Sequence, residues 1–273
     1  MTMSDRKYIQ AVEAKRRAME KRYVPLIRRA LNRQVQEIIS MIRPDNMYAV
    51  DPMPSREEIE RLFVDLYQKV GVAFADDVYS EIKKGTKADP TIPGFQSESE
   101  KIKNKWKIFL RNFARTEAAD RITSITGETR KQSLRIIKST IDKGVEEGIG
   151  ALNIAKNIEE QLNAVLIPMN YWRALRIART EVIGAANLGS MVGARDTGEE
   201  MEKRWISKID NKTRPDHIEM NGKRVGLHDK FEVWSKDEVV MMDYPGDQTA
   251  PPEQVINCRC TVAFKVKKID YGI

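Results

Sequence analysis

The chain has 273 residues with a hydrophobic share of 41%, which excludes a disordered polypeptide and suffices for one or two domains with a core. No run approaches about 18 apolar residues and the N-terminus is polar, so we predict cytosolic synthesis without a transmembrane helix or secretory signal peptide. The two cysteines lie one residue apart, which excludes a disulfide framework, and the formal net charge of +7 favours an acidic partner.

The positive charge is concentrated in two segments. Residues 1–43 carry 11 Lys/Arg against 4 Asp/Glu, and residues 101–143 carry 12 against 4. Residues 51–100 are acidic instead, with 6 Lys/Arg against 11 Asp/Glu. Such asymmetry predicts contact with a polyanion or an acidic protein surface. The alternative is a set of solvated helix faces in a chain rich in both signs of charge.

The first half of the chain predicts long helices. Residues 5–43 carry apolar side chains at three- and four-residue steps, and Pro25 inside this run would kink or split the helix. Ser55 followed by Glu58 is a capping box that opens a second helix to about Lys84. Residues 85–95, with two prolines and two glycines, are predicted to be a loop.

Four further helices are predicted before residue 198. Ser97 with Glu100 repeats the capping-box pattern and predicts a helix to about residue 125, followed by a break at 126–128 and a helix over 129–147. A short helix is predicted over 153–162. The last long helix is predicted from Pro168 to about Asp196, with Thr197-Gly198 as its end.

The pattern changes to strands after Gly198. Strands are predicted over 203–209, 231–234 and 258–266, Asn221-Gly222 is a turn signal, and residues 244–252 are predicted to be a loop. The predicted fold class is therefore α+β and mainly α, with a long N-terminal helical body followed by a small, mostly-β C-terminal module.

A candidate metal site lies in the C-terminal module. Cys258 and Cys260 lie on one face if they are in a strand, and with His217 and Asp210 they offer two thiolates, an imidazole and a carboxylate. This is a possible tetrahedral set for zinc, the one cofactor that the sequence suggests. Alternatively, the cysteines are small core residues, and His217 and Asp210 hold a loop through hydrogen bonds.

The same region offers groups for acid–base or phosphoryl chemistry. Asp210, Arg214, Asp216 and His217 suit a metal-dependent nuclease or phosphotransferase, because histidine titrates near neutrality and arginine grips phosphate. No nucleophile is evident, and the common catalytic motifs are absent from the sequence. Residues 210–215 are equally typical of a turn. We therefore assign no catalytic residue.

A basic strip in the third predicted helix is a candidate nucleic-acid interface. It consists of Lys101, Lys103, Lys105, Trp106, Lys107 and Arg111. Lysines interleaved with an aromatic residue suit nonspecific contact with phosphates, although an amphipathic helix with solvated lysines has the same pattern. Trp172, Trp205 and Trp234 could also stack on bases, but such residues are more often core or interface anchors.

Several motifs occur in an order that resembles a known family. They are the glycine-rich segment 144–150, the helix 154–162, Ala178-Arg179-Thr180-Glu181, Asn187, Gly198, Trp205, Asp210, Thr213-Arg214, His217, Asn221-Gly222, Phe231, Pro251 and Asn257-Cys258-Arg259-Cys260. This order resembles the head morphogenesis, or minor capsid, domain of tailed bacteriophages, the family of phage Mu protein F. The resemblance covers roughly residues 135–265.

The resemblance implies a domain division. Residues 1–134 would form a basic helical body, and residues 135–273 the head-morphogenesis domain, with helices over 135–197 and a β-rich module over 203–268. The signature residues carry over as a structural cluster without a catalytic role: Arg179, Glu181, Trp205, Asp210, Arg214, His217, Asn257, Cys258 and Cys260. Related domains also precede toxin domains, but the seven residues between the last predicted strand and Ile273 leave no room for one.

The resemblance also implies a function. Family members are low-copy components of the phage head, encoded by phages or prophages. The expected location is the procapsid interior of the virion head, commonly near the portal, after synthesis in the bacterial cytoplasm. Expected partners are the portal, scaffold and major capsid proteins, with packaged DNA as a further candidate and no membrane.

Overall fold

The computed structural model describes residues 3–84, 98–235 and 238–267. The helices are α1 (Met3–Met41), α2 (Glu57–Lys83), α3 (Glu98–Thr116), α4 (Ala119–Glu146), α5 (Ala151–Asp196), α6 (Pro215–Glu219) and α7 (Pro252–Val255). The strands are β1 (Met201–Ile206), β2 (Arg224–Gly226), β3 (Phe231–Ser235), β4 (Glu238–Met242) and β5 (Thr261–Val266). The predicted fold class, α+β and mainly α, is confirmed. No helix among these residues is long and apolar enough to cross a membrane.

The chain divides into two compact units. The helical unit comprises residues 21–63 and 118–178, and the sheet unit comprises residues 1–20, 64–117 and 179–273. Helices α1, α2 and α5 each contribute residues to both units. The predicted division at residue 134 falls inside α4, where the helix has no break.

The helical unit is built around an aliphatic core. Val35, Ile38 and Ile42 of α1 follow one another at three- and four-residue steps, so they share one face of the helix. They are buried together with Ile137 of α4 and Leu162 of α5. This unit also contains a buried arginine, Arg173, which donates hydrogen bonds to the side chains of Asn170 and Thr129, both at 3.0 Å.

The sheet unit contains all five strands. Strand β1 pairs antiparallel with β2 on one side and β5 on the other, and β3 and β4 form a separate antiparallel pair. The register places Trp205 opposite Val262 and Arg204 opposite both Arg224 and Ala263. The buried core of this module consists of Trp205, Met220, Phe231, Val233, Val240, Met242, Cys258 and Cys260.

Small residues let α5 approach α2 closely within the sheet unit. A Cβ atom added to Gly189 would lie 2.1 Å from the backbone oxygen of Gly71, and one added to Gly193 would lie 2.2 Å from that of Ala75. Both distances are far below van der Waals contact. Glycine is therefore required at these two positions by backbone-to-backbone packing.

Two predicted helix breaks were wrong. The break lies at residues 117–118 instead of 126–128, and Gly127 is an exposed residue inside α4. A helix tolerates such a glycine at a cost of about 1 kcal/mol. Likewise, residues 163–167 and Pro168 continue α5 without interruption, and Pro25 does not split α1. Packing in the folded chain outweighs the local preference of these prolines.

The first capping box is only half formed. Ser55 Oγ accepts the backbone N–H of Glu57 at 3.3 Å, but the carboxylate that accepts the Ser55 N–H belongs to Glu37, at 2.7 Å. Glu58 pairs with Arg33 instead. The predicted loop at 85–95 and Ser97 of the second capping box lie outside the described residues.

Candidate functional site

The two cysteines flank a sharply turned segment between α7 and β5. Asn257 has a φ of 57°, a left-handed conformation that asparagine tolerates better than most residues. Its backbone N–H donates to Thr180 Oγ1 of α5 at 3.1 Å, and the N–H of Cys258 donates to Val255 O at 3.0 Å. The turn is therefore anchored both locally and to α5.

Cys258, Cys260 and His217 form one buried cluster. His217 Nδ1 lies 3.7 Å from Cys258 Sγ and 3.6 Å from Cys260 Sγ. All three ligand atoms lie within 4.8 Å of one another, and the three residues are 1–2% exposed. The structure thus brings together three of the four residues in the predicted metal set.

The imidazole of His217 is oriented by its neighbours. His217 Nε2 lies 2.8 Å from Gln254 Oε1, and Gln254 Nε2 donates to Asp216 Oδ2 at 2.7 Å. Because Asp216 fixes which end of the amide carries oxygen, Nε2 must be the protonated nitrogen. Nδ1 then presents its lone pair to the two sulfur atoms. Neither Gln254 nor Asp216 was predicted for this role, because their contact depends on α6 and α7 meeting in space.

Aromatic residues pack against one side of the cluster. Trp205 packs edge-on against His217 at a centroid distance of 5.2 Å and against Phe231 at 5.4 Å. The hydrogen bond between the two cysteines lowers the pKa of the Cys260 thiol well below its usual range. The same bond, together with burial, raises the pKa of the Cys258 thiol. One sulfur is thereby favoured as a thiolate that the other sulfur stabilises.

Asp210 lies apart from this cluster. Its two carboxylate oxygens each accept a hydrogen bond from Arg259 at 2.5 Å, and the N–H of Lys212 donates to Oδ1 at 2.9 Å. The Arg259 guanidinium lowers the pKa of this carboxyl well below its usual range. Asp210 therefore closes the turn at 210–215 and pairs with Arg259, which leaves its carboxylate engaged away from the cysteines.

The residues of the predicted acid–base set are engaged in contacts with other groups of the protein. Arg214 donates to the carbonyl of Ile256 at 2.6 Å, Asp210 is paired with Arg259, and His217 is buried. A nuclease or phosphotransferase would need these groups to face a common solvent-accessible site. Their placement instead fits residues that hold the fold together.

A small cavity adjoins the cluster. Its volume is about 10 Å³, and it is lined by Lys208, Lys212, Thr213, Arg214, His217, Asn257, Cys258, Arg259 and Cys260. This volume holds about one water molecule. The four cationic side chains make the cavity electropositive.

Helix α5 and the first helix secure the same region. Asn187 Nδ2 donates to the carbonyl of Cys260 at 3.2 Å, and Arg16 of α1 donates to that carbonyl at 3.2 Å. Glu181 accepts a hydrogen bond from the buried Tyr67 hydroxyl at 2.9 Å, and Arg179 pairs with Glu20 at 3.5 Å. Arg16 was missed by sequence reasoning, because nothing in its charged neighbourhood distinguishes it from solvated arginines.

The basic strip of α3 is divided between paired and unpaired residues. Lys103 pairs with Asp76 at 2.8 Å and Lys105 with Asp196 at 2.7 Å. Lys101, Lys107 and Arg111 are exposed and form no ion pair with a described residue.

The tryptophans of the chain differ in exposure. Trp106 is 1% exposed and its indole N–H donates to Asp196 at 2.7 Å, so this member of the predicted nucleic-acid strip lies in the core and is not accessible to a nucleic acid. Trp205 is also buried, whereas Trp172 and Trp234 are 70% and 61% exposed.

Comparison with known proteins identifies the family of this region. Residues 135–263 match the family described as Phage Mu protein F like protein. These 129 of the 273 residues, just under half of the chain, thus form a domain that is similar to Phage Mu protein F. The family resemblance predicted over residues 135–265 is thereby confirmed.

One curated relative of the chain is the NAD(+)--arginine ADP-ribosyltransferase EFV of Enterococcus faecalis (strain ATCC 700802 / V583). The two are 28% identical over 153 residues, which cover 53% of this chain and 28% of the relative. The chain thus spans less than a third of that relative's length. The relative's name refers to that whole, much longer protein. No solved structure matches the chain.

The signature residues of the Phage Mu F-like domain converge on the cysteine turn. Thr180 and Asn187 hold it from α5, Arg214 and Arg259 bond around it, and His217 contacts both sulfurs. Residues that are far apart in sequence therefore all help to hold the cysteine turn in place. Their separation, with 77 positions between Thr180 and Asn257, explains why the motif is recognisable only as an ordered series.

A buried lysine in the Phage Mu F-like domain predicts a pH effect. Lys203 is fully buried, donates to the carbonyl of Asp243 at 2.8 Å and lies over the Phe231 ring. Burial lowers the pKa of its ammonium group from 10.5 to about 8, against the opposing effect of the Asp243 carboxylate. Between these two pKa values the unfolded chain binds more protons than the folded one, so the free energy of unfolding rises with pH.

We expect Lys203 to contribute a rise of up to about 3 kcal/mol between about pH 8 and about pH 10.5. Urea denaturation of the parent and of Lys203→Met across this window measures it, with Lys223→Met as an exposed control. The rise should be smaller in Lys203→Met than in both other proteins. Equal pH dependence in all three would show that Lys203 titrates normally.

Proposed function

We propose that this chain is a minor head protein of a tailed bacteriophage or prophage that acts in head morphogenesis. The observation that carries the proposal is the match of residues 135–263 to the Phage Mu protein F family. The proposed location is the procapsid interior, near the portal, after synthesis in the host cytoplasm. The proposed partners are the portal, scaffold and major capsid proteins.

The geometry of the site supports an assembly role over a catalytic one. His217 and both cysteines are buried, and Asp210 and Arg214 are engaged by Arg259 and by a backbone carbonyl. Substrate would have to displace these interactions before it could reach the imidazole. A rigid module built around a buried cluster instead suits a protein that presents fixed surfaces to its neighbours.

Incorporation into heads tests the proposal directly. The tagged chain would be expressed with the portal, scaffold and major capsid proteins of its phage, and procapsids would be purified by sedimentation. We expect a few copies per particle, and fewer when the portal is omitted. Absence of the chain from particles that otherwise assemble normally would contradict the proposal. DNA hydrolysis by the purified chain would also contradict it, if the rate exceeds that of the control variant Asp210→Asn, His217→Ala.

We further propose that α3 contacts packaged DNA. Lys101, Lys107 and Arg111 project from the exposed side of the helix without ion-pair partners, so their charge is available to phosphates. The charges of Lys103 and Lys105 are instead neutralised by ion pairs with Asp76 and Asp196. The proposed interface is therefore narrower than the strip that the sequence predicts.

The α3 interface predicts a change in the salt dependence of DNA binding. Each phosphate contact contributes about −0.9 to the slope of log K against log salt, so Lys101→Gln, Lys107→Gln, Arg111→Gln should flatten it by about 2 to 3. The charge-matched control is Lys223→Gln, Lys230→Gln, Lys265→Gln, which alters three other exposed lysines. Titration of labelled duplex by fluorescence anisotropy measures both slopes. Equal slopes in the two variants would exclude α3 as the interface.

A further inference from the structure

The separations within the buried cluster have the dimensions of a metal site. A tetrahedral zinc ion with Zn–S bonds of about 2.3 Å and Zn–N bonds of about 2.0 Å sets its sulfur and nitrogen ligands about 3.5 Å apart. His217 Nδ1 lies 3.7 Å and 3.6 Å from the sulfurs of Cys258 and Cys260. One ion can therefore contact all three atoms with little movement of the side chains.

The hydrogen bonds around His217 prepare it as a ligand. Gln254 Oε1 accepts from Nε2, so the neutral imidazole has its lone pair on Nδ1, the nitrogen that lies next to the sulfurs. An outer hydrogen-bond acceptor on the distal nitrogen is the usual companion of a metal-bound histidine. Here the acceptor is itself fixed by Asp216, and both Gln254 and His217 are buried.

The three ligand atoms face one another inside the module. Both sulfurs are buried and lie within 3.7 Å of His217 Nδ1. With both cysteines bound as thiolates, their two negative charges would neutralise the ion. The site would be uncharged as a whole, so the nearby Lys208, Lys212, Arg214 and Arg259 would not oppose it.

The small cavity beside the three ligands offers room for a fourth one. Its volume of about 10 Å³ accommodates one water molecule, and its lining includes His217 and both cysteines. No further histidine, cysteine, aspartate or glutamate among the described residues joins the group. Asp210, a ligand candidate in the sequence, is held by Arg259 instead.

We propose that Cys258, Cys260 and His217 bind one Zn²⁺ with a water molecule as the fourth ligand, and that this ion stabilises the C-terminal module. The cavity next to the three ligands has room for about one water molecule, which suits a structural ion better than a substrate-binding one. Gln254 and Asp216 are positioning residues, since they act on the metal through His217.

Metal content tests the proposal first. The full chain would be purified under reducing conditions without chelator, and its metals measured by mass spectrometry. We expect about one zinc per chain, and loss of that zinc in Cys258→Ser, Cys260→Ser. The control is His228→Ala, which changes the other histidine, exposed and outside the cluster. Less than about a tenth of an equivalent of zinc, or full zinc in the double cysteine variant, would overturn the proposal.

A spectroscopic measurement on the unaltered chain avoids dependence on a variant that fails to fold. Zinc would be removed with a chelator and replaced with Co²⁺. Tetrahedral coordination by two thiolates predicts strong thiolate-to-cobalt charge-transfer absorption and intense visible bands. A weak spectrum typical of oxygen and nitrogen ligands alone would contradict the assignment.

The positioning residue gives a second, finer test. Gln254→Leu retains all three ligands but removes the acceptor from His217 Nε2, so zinc affinity should fall about 10- to 100-fold. Competition with a coloured chelator measures the affinity, and Gln132→Leu, at a partly exposed position on α4, is the matched control. Unchanged affinity in Gln254→Leu would exclude the positioning role.

Discussion

Replacement of Trp205 by alanine is expected to destabilise the protein by about 3–5 kcal/mol. The side chain is fully buried, packs edge-on against both His217 and Phe231, and donates its indole N–H to Ser207 at 3.1 Å. Its loss would leave a large cavity beside the cysteine cluster and remove one hydrogen bond from the buried Ser207 hydroxyl. Urea denaturation followed by circular dichroism measures the change.

Trp234 provides the matched control for Trp205. It lies on β3 in the same module but is 61% exposed, so Trp234→Ala should cost less than about 1 kcal/mol. Similar losses in the two variants would show that Trp205 does not anchor the core. A normal stability of Trp205→Ala combined with weaker DNA binding would instead favour the base-stacking role.

Replacement of Gly189 by alanine is expected to cost more than about 3 kcal/mol. The added Cβ would lie 2.1 Å from the Gly71 carbonyl oxygen, and the obstacle is backbone, which cannot rotate aside. Helices α2 and α5 would have to separate, with loss of contacts along the whole interface. Thermal and urea denaturation of the purified variant measure the effect.

The opposite sign is expected for Gly127→Ala. A Cβ at this exposed position in α4 meets nothing within 4 Å, so the gain in helix propensity should stabilise the protein by about 0.5–1 kcal/mol. Comparison of Gly127→Ala with Gly189→Ala therefore separates the effect of helix propensity on stability from the effect of close helix packing. A mild effect of Gly189→Ala, comparable in size to that of Gly127→Ala, would contradict the close approach of α2 and α5.

Sequence periodicity predicted the long helices and three of the strands, but not every short element or boundary. Helix α1 was predicted over residues 5–43, two residues from each observed end, because apolar side chains recur along its whole length. The joining of residues 153–162 and 168–196 into α5 was missed, because Pro168 is a strong local signal for a helix start. Strand β4 was also missed, since Glu238–Met242 becomes a strand only through pairing with β3.

The sequence predicted the rare residues of the candidate site but not the residues that position them. His217, Cys258 and Cys260 are chemically distinctive, and the structure gathers them. Asp210 was grouped with them on chemistry alone, although its partner proved to be Arg259, one residue after the first cysteine. Gln254 could not be predicted, because a glutamine in a loop carries no signal until its neighbours in space are known.

The coordination shell of the proposed zinc ion tests the central claim most directly, namely that Cys258, Cys260 and His217 form a buried two-sulfur, one-nitrogen centre. X-ray absorption at the zinc edge, recorded on the purified chain, reports the type and distance of each neighbour of the ion. We predict two sulfur neighbours at about 2.3 Å, one nitrogen at about 2.0–2.1 Å and one further light atom. A shell of nitrogen and oxygen atoms without sulfur would contradict the account.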